Sequence, residues 1–300
     1  TSSLMQKGVL VKAGDAYERM AMADAIVFDK TGTLTLGRPA LQNASQISDE
    51  ALQLAASMAQ QSRHPISRAI VAACAGTMLD LGVTDHKGRG LLAVHKGTTW
   101  RLGKQDWAVP QGQDTVDPDP AFLSVTLAPE DGARAPVTFL FADEIRPDAA
   151  GVISDLRRAG YDLYLLSGDR AAAVLMVAKS LGFDPSHVHG AMTPPEKTAF
   201  LQDLIARGGH PVMVGDGLND APSLMAATAS MSPSSAIDMA QNAADLVFTG
   251  DSLRAVPRAL RAARATQKLV RQNLWMALVY NAVAIPVAMA GLVTPMIAAI

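Results

Sequence analysis

Asp29-Lys30-Thr31-Gly32-Thr33-Leu34-Thr35 puts a carboxylate, a cation, three hydroxyls and a glycine directly behind the apolar run Ala25-Ile26-Val27-Phe28. An aspartate held at the end of a strand is placed to attack a phosphate in line, which is nucleophilic phosphoryl transfer. Gly32 and the hydroxyl residues supply backbone N–H groups and donors for phosphate oxygens. A single Asp after a strand more often makes a turn or a cap; the whole string is far more specific. Three distant segments supply what such a nucleophile needs. Ser167-Gly168-Asp169 offers a hydroxyl and a free N–H. Lys197, in Thr193-Pro194-Pro195-Glu196-Lys197, offers a cation for the charge on a transferring phosphoryl group. Taken alone it would be a solvated surface lysine. Gly215-Asp216-Gly217-Leu218-Asn219-Asp220 offers carboxylates for Mg²⁺, a hard ion that prefers oxygen ligands and substrate phosphate.

Short apolar runs carry these groups. Ala25–Phe28 leads into Asp29, Val137–Ala142 into Asp143, Leu163–Leu166 into Ser167, and Val212–Val214 into Gly215-Asp216. Each is followed by polar or Gly residues and then a helix-prone stretch. Repeated strand–loop–helix units predict an α/β fold with a doubly wound parallel sheet and active groups at the carboxyl ends of its strands. The first unit is interrupted. Between Thr35 and Ala135 lie an amphipathic helix (Ala51–Gln61), Gly-rich strand-like pieces (Gly88–Gly103) and a Pro/Asp-rich loop (Pro110–Pro120). A block of about 100 residues is large enough to be an inserted domain. The expected organisation is a discontinuous sheet domain over 1–35 and 136–257, an insertion over 36–135, and a final segment over 258–300.

Composition narrows the class. The 300 residues carry 26 Lys plus Arg against 28 Asp plus Glu, so no basic footprint points to nucleic acid. An apolar content of 49% with 5% aromatics suits a well-cored Ala/Val/Leu-rich protein. The single cysteine, Cys74, excludes an internal disulfide framework and reads as a core filler. The opening Thr1-Ser2-Ser3-Leu4 lacks the layout of a signal peptide and reads as the start of a piece of something longer. Leu274–Val293 has no charged residue, and about 20 residues at about 1.5 Å each match a bilayer core of about 30 Å. Arg258, Arg261, Arg264, Lys268 and Arg271 precede it, which predicts a transmembrane helix entering from the cytoplasmic side, with a second starting before Ile300.

Together these motifs resemble those of the P-type ATPases, within the haloacid dehalogenase-like phosphotransferases. The phosphorylation motif D-K-T-G-T-L-T is complete at Asp29–Thr35, and the hinge motif G-D-G-x-N-D is complete at Gly215–Asp220. D-E-x-R-P stands at Asp143–Pro147, and the family's T-G-D begins here with Ser167. The resemblance implies that Asp29 is phosphorylated by ATP, that Asp29, the Thr31 carbonyl and Asp216 hold Mg²⁺, and that Lys197, Ser167 and Gly168 meet the phosphoryl group. Asn219 and Asp220 would support the site. Soluble phosphatases of the group carry a second Asp two residues after the nucleophile, as acid/base. Thr31 stands there instead, which disfavours rapid hydrolysis of an aspartyl phosphate.

The insertion is similar to the nucleotide-binding domain of the heavy-metal members. Ser62-Arg63-His64-Pro65 matches their S-x-H-P adenine motif, so His64 and Pro65, followed by Gly88, Gly90 and Gly103, are the expected ATP contacts. Glycines there let backbone approach a flat base. Two positions depart from the pattern, with Ala59 where an acidic residue is common and Lys104 where an Asn is common. Tyr280-Asn281 resembles the transport ligands of copper(I) exporters, and zinc, cadmium or lead members are expected to carry a Lys that Leu274–Val293 lacks. Ser232-Pro233-Ser234-Ser235 resembles the subgroup serving cytochrome oxidase assembly. The resemblance thus implies an ATP-driven copper(I) exporter in the cell membrane, with the lipid bilayer and a copper chaperone as partners. A zinc-type exporter and a soluble phosphohydrolase are the alternatives.

Overall fold

The computed structural model of the chain describes residues 8–113, 115, 117–216, 220–234, 242–249 and 252–289. Thirteen strands are described: β1 (Val9–Val11), β2 (Ala25–Asp29), β3 (Thr35–Leu41), β4 (Val83–His86), β5 (Gly90–His95), β6 (Thr98–Gly103), β7 (Leu123–Pro129), β8 (Val137–Ile145), β9 (Asp162–Leu166), β10 (Val188–His189), β11 (Pro211–Val214), β12 (Ala229–Pro233) and β13 (Leu246–Phe248). They form two sheets.

The first has the order β1-β13-β12-β11-β2-β9-β10, parallel except for β1. Its central strands β2, β11 and β12 are buried at every residue, and β2 and β11 accordingly read as unbroken apolar runs, whereas β12 buries Ser230 and Ser232 as well. Successive side chains of β2 serve opposite faces. Ile26 and Phe28 enter a core with the helices Ala16–Ala21, Ala149–Arg158 and Ala171–Leu181. Val27 enters a second core with Leu201 and Leu224, from the helices Pro194–Ala206 and Ala221–Ala226. From β2 the chain passes to β9 on one side and later to β11 on the other. The carboxyl end of β2 is therefore the switch point where such sheets open a crevice.

The second sheet, β3-β8-β7-β6-β5-β4, is antiparallel. The helices Asp49–Ala59 and Pro65–Ala73 pack on it around Leu54, Met58, Ile70, Trp100, Leu127, Phe139 and Phe141, and Cys74 lies against this core as a filler. Ser48 starts the first helix by accepting from the Ala51 N–H, with Asp49 and Glu50 in its first turn. Val137–Ala142, expected among the parallel units, belongs to this sheet instead. An apolar run does not encode its pairing, and β8 is claimed by β7 on one side and β3 on the other. Because β3 and β8 are neighbours, with Thr35 opposite Ile145, the insertion leaves and returns at one place beside Asp29.

The helix Ala255–Met289 begins in the first core through Val256, Ala259, Leu260 and Ala263. Arg264 clamps it there: its guanidinium lies 4.4 Å over the Tyr161 ring and donates to the Ala23 carbonyl at 3.2 Å. Beyond that point large side chains such as Leu274, Trp275 and Met276 are exposed. Among the described residues no helix is long and apolar enough to cross a membrane. The expected span at Leu274–Val293 is corrected to that extent. The apolar part of the helix follows basic turns and is interrupted by Tyr280-Asn281 and Pro286, and residues 290–293 lie outside the described residues.

Candidate functional site

Three neighbouring parallel strands end at one edge and deliver three of the expected groups. Asp29 is the last residue of β2 and pairs with Leu166 of β9, so Ser167 follows at the same level. On the other side Val214 of β11 pairs with Phe28, and Gly215-Asp216 continue past it. Asp29 and Ser167 are both buried.

The turn after Asp29 is irregular because Gly32 takes φ +72°, a left-handed conformation that side chains resist. Asp216 requires the glycine as well, since a Cβ at position 32 would stand 1.9 Å from its Oδ2. Thr35 Oγ1 donates to the Lys30 carbonyl at 3.1 Å. Buried Arg146 donates from Nε to the Thr33 carbonyl at 2.7 Å and from a terminal nitrogen to the Gly32 carbonyl at 2.8 Å. Lys30, also buried, lies 2.9 Å from Asp143 and 2.5 Å from Asp169. The D-E-x-R-P string thus serves as a clamp on the turn after Asp29. Its residues stood out in the sequence, but their partners, more than a hundred positions away, did not.

Lys197 is not a surface lysine. Thr193 and Glu196 form a capping box, with Pro194 and Pro195 opening the helix, and this fixes Lys197 in the first turn, 5% exposed. Its ammonium lies 2.6 Å from Asp29 and 2.8 Å from Asp220. Burial and the nearby Asp220 carboxylate push the Asp29 carboxyl up, to about 7, against the downward pull of Lys197. Burial pulls the Lys197 ammonium down, but Asp29 and Asp220 outweigh it and the net direction is up.

Asp29, Asp216 and Asp220 each bring a carboxylate oxygen within 4.8 Å of the others. Three carboxylates around one ammonium leave net negative charge, and an all-oxygen donor set fits a hard divalent cation such as Mg²⁺. Thr31 is exposed, and its hydroxyl donates to Asp169 at 3.3 Å, so no acid/base side chain stands two residues beyond Asp29. Asn219 lies outside the described residues.

The second group of candidates lines a cavity of about 600 Å³ between the helix Pro65–Ala73 and the second sheet. His64, Gly88, Gly90 and Gly103 are there, with Ser62, Lys87, Arg89 and Lys104. His64 caps the helix: its Nδ1 accepts from the Ile66 N–H at 3.2 Å, which leaves Nε2 to carry the proton of a neutral ring. Pro65 is not in the wall and serves as the first residue of the helix. Gly90 and Gly103 face each other across β5 and β6, and added Cβ atoms would meet the Trp107 ring at 2.7 and 2.8 Å. Packing on Trp107 is therefore a reason for these glycines that the sequence did not suggest. Ala59 sits in the apolar core under the helices. Tyr280 and Asn281 are exposed on the long helix, apart from both groups.

A family model described as haloacid dehalogenase-like hydrolase matches residues 23–228. The chain is 41% identical over 300 residues to the nitrogen fixation protein FixI of Rhizobium leguminosarum bv. viciae, covering 99% of this chain and 39% of the relative. It is 34% identical to the probable copper-transporting ATPase SynA of Synechococcus sp., over 96% of this chain and 37% of that protein. A crystal structure of a zinc-transporting PIB-type ATPase in an E2.Pi state superposes with a TM-score of 0.86 at 27% identity, over 97% of this chain and 49% of that one. The chain thus spans about two fifths of the curated relatives it matches, and its mixed α/β fold matches the phosphorylation and nucleotide-binding domains of P-type ATPases.

Proposed function

The chain belongs to the haloacid dehalogenase-like hydrolase family, and from that premise we propose that it is the ATP-binding and phosphorylation part of a P-type ATPase that moves copper(I) out of the cytoplasm. The observation that carries this reading is buried Asp29, gripped by Lys197 at 2.6 Å, with two further carboxylates in reach and Thr31 where a hydrolase would have its acid/base.

In this reading the first sheet and its helices, from segments 1–35 and 146–257, form the phosphorylation domain, and the second sheet, with β8 as its returning strand, binds ATP, with adenine against His64 and the Gly88, Gly90 and Gly103 wall. The γ-phosphoryl reaches the carboxyl edge of β2, where an Asp29 oxygen attacks in line. Lys197 neutralises charge on the equatorial oxygens, and Ser167 and the Gly168 N–H hold one of them. Asp29, Asp216 and the Thr31 carbonyl would hold Mg²⁺, with Asp220 and Asn219 in support. Bound there, the ion supplies charge neutralisation for the phosphoryl group. With no carboxylate at position 31 to activate water, the aspartyl phosphate lasts long enough to be coupled to a change of conformation.

Copper(I) is favoured by Tyr280-Asn281, by the absence of Lys from Leu274–Val293, and by relatives described as copper-transporting. Zinc is the second reading, favoured by the zinc-transporting structure that superposes on the chain. The whole pump would sit in the cell membrane, with lipid and a copper chaperone as partners. Metal-stimulated ATP hydrolysis by the whole protein in proteoliposomes decides the ion. Copper(I) stimulation that is lost in Asn281→Ala supports the proposal, and stimulation by zinc(II) alone transfers the pump to the second reading.

A further inference from the structure

A cavity of about 270 Å³ has walls from both sheets, with Lys30, Phe122, Leu123, Asp143, Asp169 and Arg170 among its lining residues. It and the larger cavity meet at β7. Leu123 lines the smaller one, and the next two residues of the strand, Ser124 and Val125, line the larger. A nucleotide whose base occupies the larger cavity would reach Asp29 by way of the smaller one, which is lined by Lys30, the residue next to Asp29.

The cations of this passage differ. Lys30 is shared between Asp143 and Asp169. Arg170 is exposed, and among the described residues its guanidinium has no ion pair or hydrogen bond. Its backbone is well placed. Leu166 pairs with Asp29, and the chain continues from there through Ser167, Gly168 and Asp169 to Arg170. Lys30 and Thr31 both hold Asp169, which fixes the segment against the phosphorylation turn.

We propose that Arg170 is a catalytic residue whose guanidinium takes the β-phosphate of ATP while the γ-phosphoryl passes to Asp29. In that step a bond forms between an Asp29 oxygen and the γ-phosphorus. The bond from that phosphorus to the β–γ bridging oxygen breaks, its electron pair stays on the oxygen of ADP, and no proton moves. Charge therefore gathers on the departing ADP, and a guanidinium answers it with a fixed fork of donors that matches phosphate oxygens. The assignment rests on the reading of Asp29 as the residue that ATP phosphorylates.

The test uses the whole pump with Arg170→Gln and Arg170→Lys, labelled either from ATP or from inorganic phosphate. Both sources give the same Asp29 phosphate, but inorganic phosphate has no β-phosphate. Arg170→Gln is expected to slow labelling from ATP at least tenfold, raise the KM for ATP and weaken reversal by ADP, while labelling from phosphate stays within twofold. Arg170→Lys recovers part of the loss. The assignment is overturned if both routes are unchanged, or if both fall together as they would for a structural residue. Wild-type protein that takes label from neither source sinks the phosphorylation reading and the assignment with it; normal wild-type labelling beside an indifferent Arg170→Gln sinks the assignment alone.

Discussion

Gly32→Ala separates backbone strain from displacement of a carboxylate. A left-handed φ of +72° costs an alanine on the order of 1–2 kcal/mol relative to glycine. The second effect is local: the new Cβ would lie 1.9 Å from Asp216 Oδ2 and 2.7 Å from its Cγ. To regain ordinary contact of about 3.5 Å, the carboxylate must retreat by about 1.5 Å, and it leaves the cluster with Asp29 and Asp220. A misplacement of about 1 Å at a reacting centre costs on the order of a hundredfold in rate. Gly37→Ala is the control, because Gly37 has φ +63° but nothing closer than 3.8 Å to an added Cβ. Both variants should lose similar stability. In rapid-quench labelling of the whole protein from ATP at stepped Mg²⁺, Gly32→Ala should label about a hundredfold more slowly and need at least tenfold more Mg²⁺, while Gly37→Ala labels normally. Labelling of Gly32→Ala within threefold of wild type, with unchanged Mg²⁺ dependence, would refute the link between this glycine and Asp216.

Other perturbations follow from the same geometry. The Asp29 carboxyl rises from 3.8 to about 7, so the folded protein keeps a proton that the unfolded chain gives up. Stability therefore falls as pH climbs from about 4 to about 7 and is level above. Without Mg²⁺, Asp29→Asn should then be more stable than wild type at pH 8, by at most about 4 kcal/mol for about three tenfold steps, with the gap closing near pH 4; denaturant unfolding in EDTA that finds the variant weaker at pH 8 contradicts this. Lys197→Met leaves Asp29 and Asp220 buried without their cation, which should cost about 3–5 kcal/mol. Mg²⁺ should restore part of that loss, and a melting temperature indifferent to Mg²⁺ argues against the carboxylate cluster. Gly103→Ala would bring a Cβ within 2.3 Å of the Arg89 carbonyl and 2.8 Å of Trp107. It should weaken ATP binding at least tenfold by calorimetry while labelling from inorganic phosphate persists, and unchanged ATP affinity counts against the proposed pocket.

Local strings made the centre of this site legible. Asp29, Ser167 and Asp216 each follow an apolar run, and burial on both sheet faces explains why those runs are unbroken. Lys197 was legible only in company, since nothing in its own segment announces a side chain 5% exposed between two carboxylates. The clamps were visible as residues but not as contacts: Lys30 to Asp143 and Arg146 to Thr33 each join positions 113 apart. Pairing was the least legible feature. The run Val137–Ala142 has the composition of a parallel core strand, and only its neighbours β3 and β7 assign it to the other sheet. Gly90 and Gly103 of the larger cavity have a reason the sequence did not suggest, because Trp107, four residues beyond Gly103, fills the space their side chains would take.

The central claim is that Asp29 is the residue that receives phosphate from ATP. The most direct test is to quench the whole protein in acid during turnover with labelled ATP and locate the label by peptide mapping after borohydride trapping. The account predicts one acid-stable, hydroxylamine-labile phosphate on Asp29, absent from Asp29→Asn. Label on any other residue, or turnover of ATP by Asp29→Asn at the wild-type rate, would contradict it.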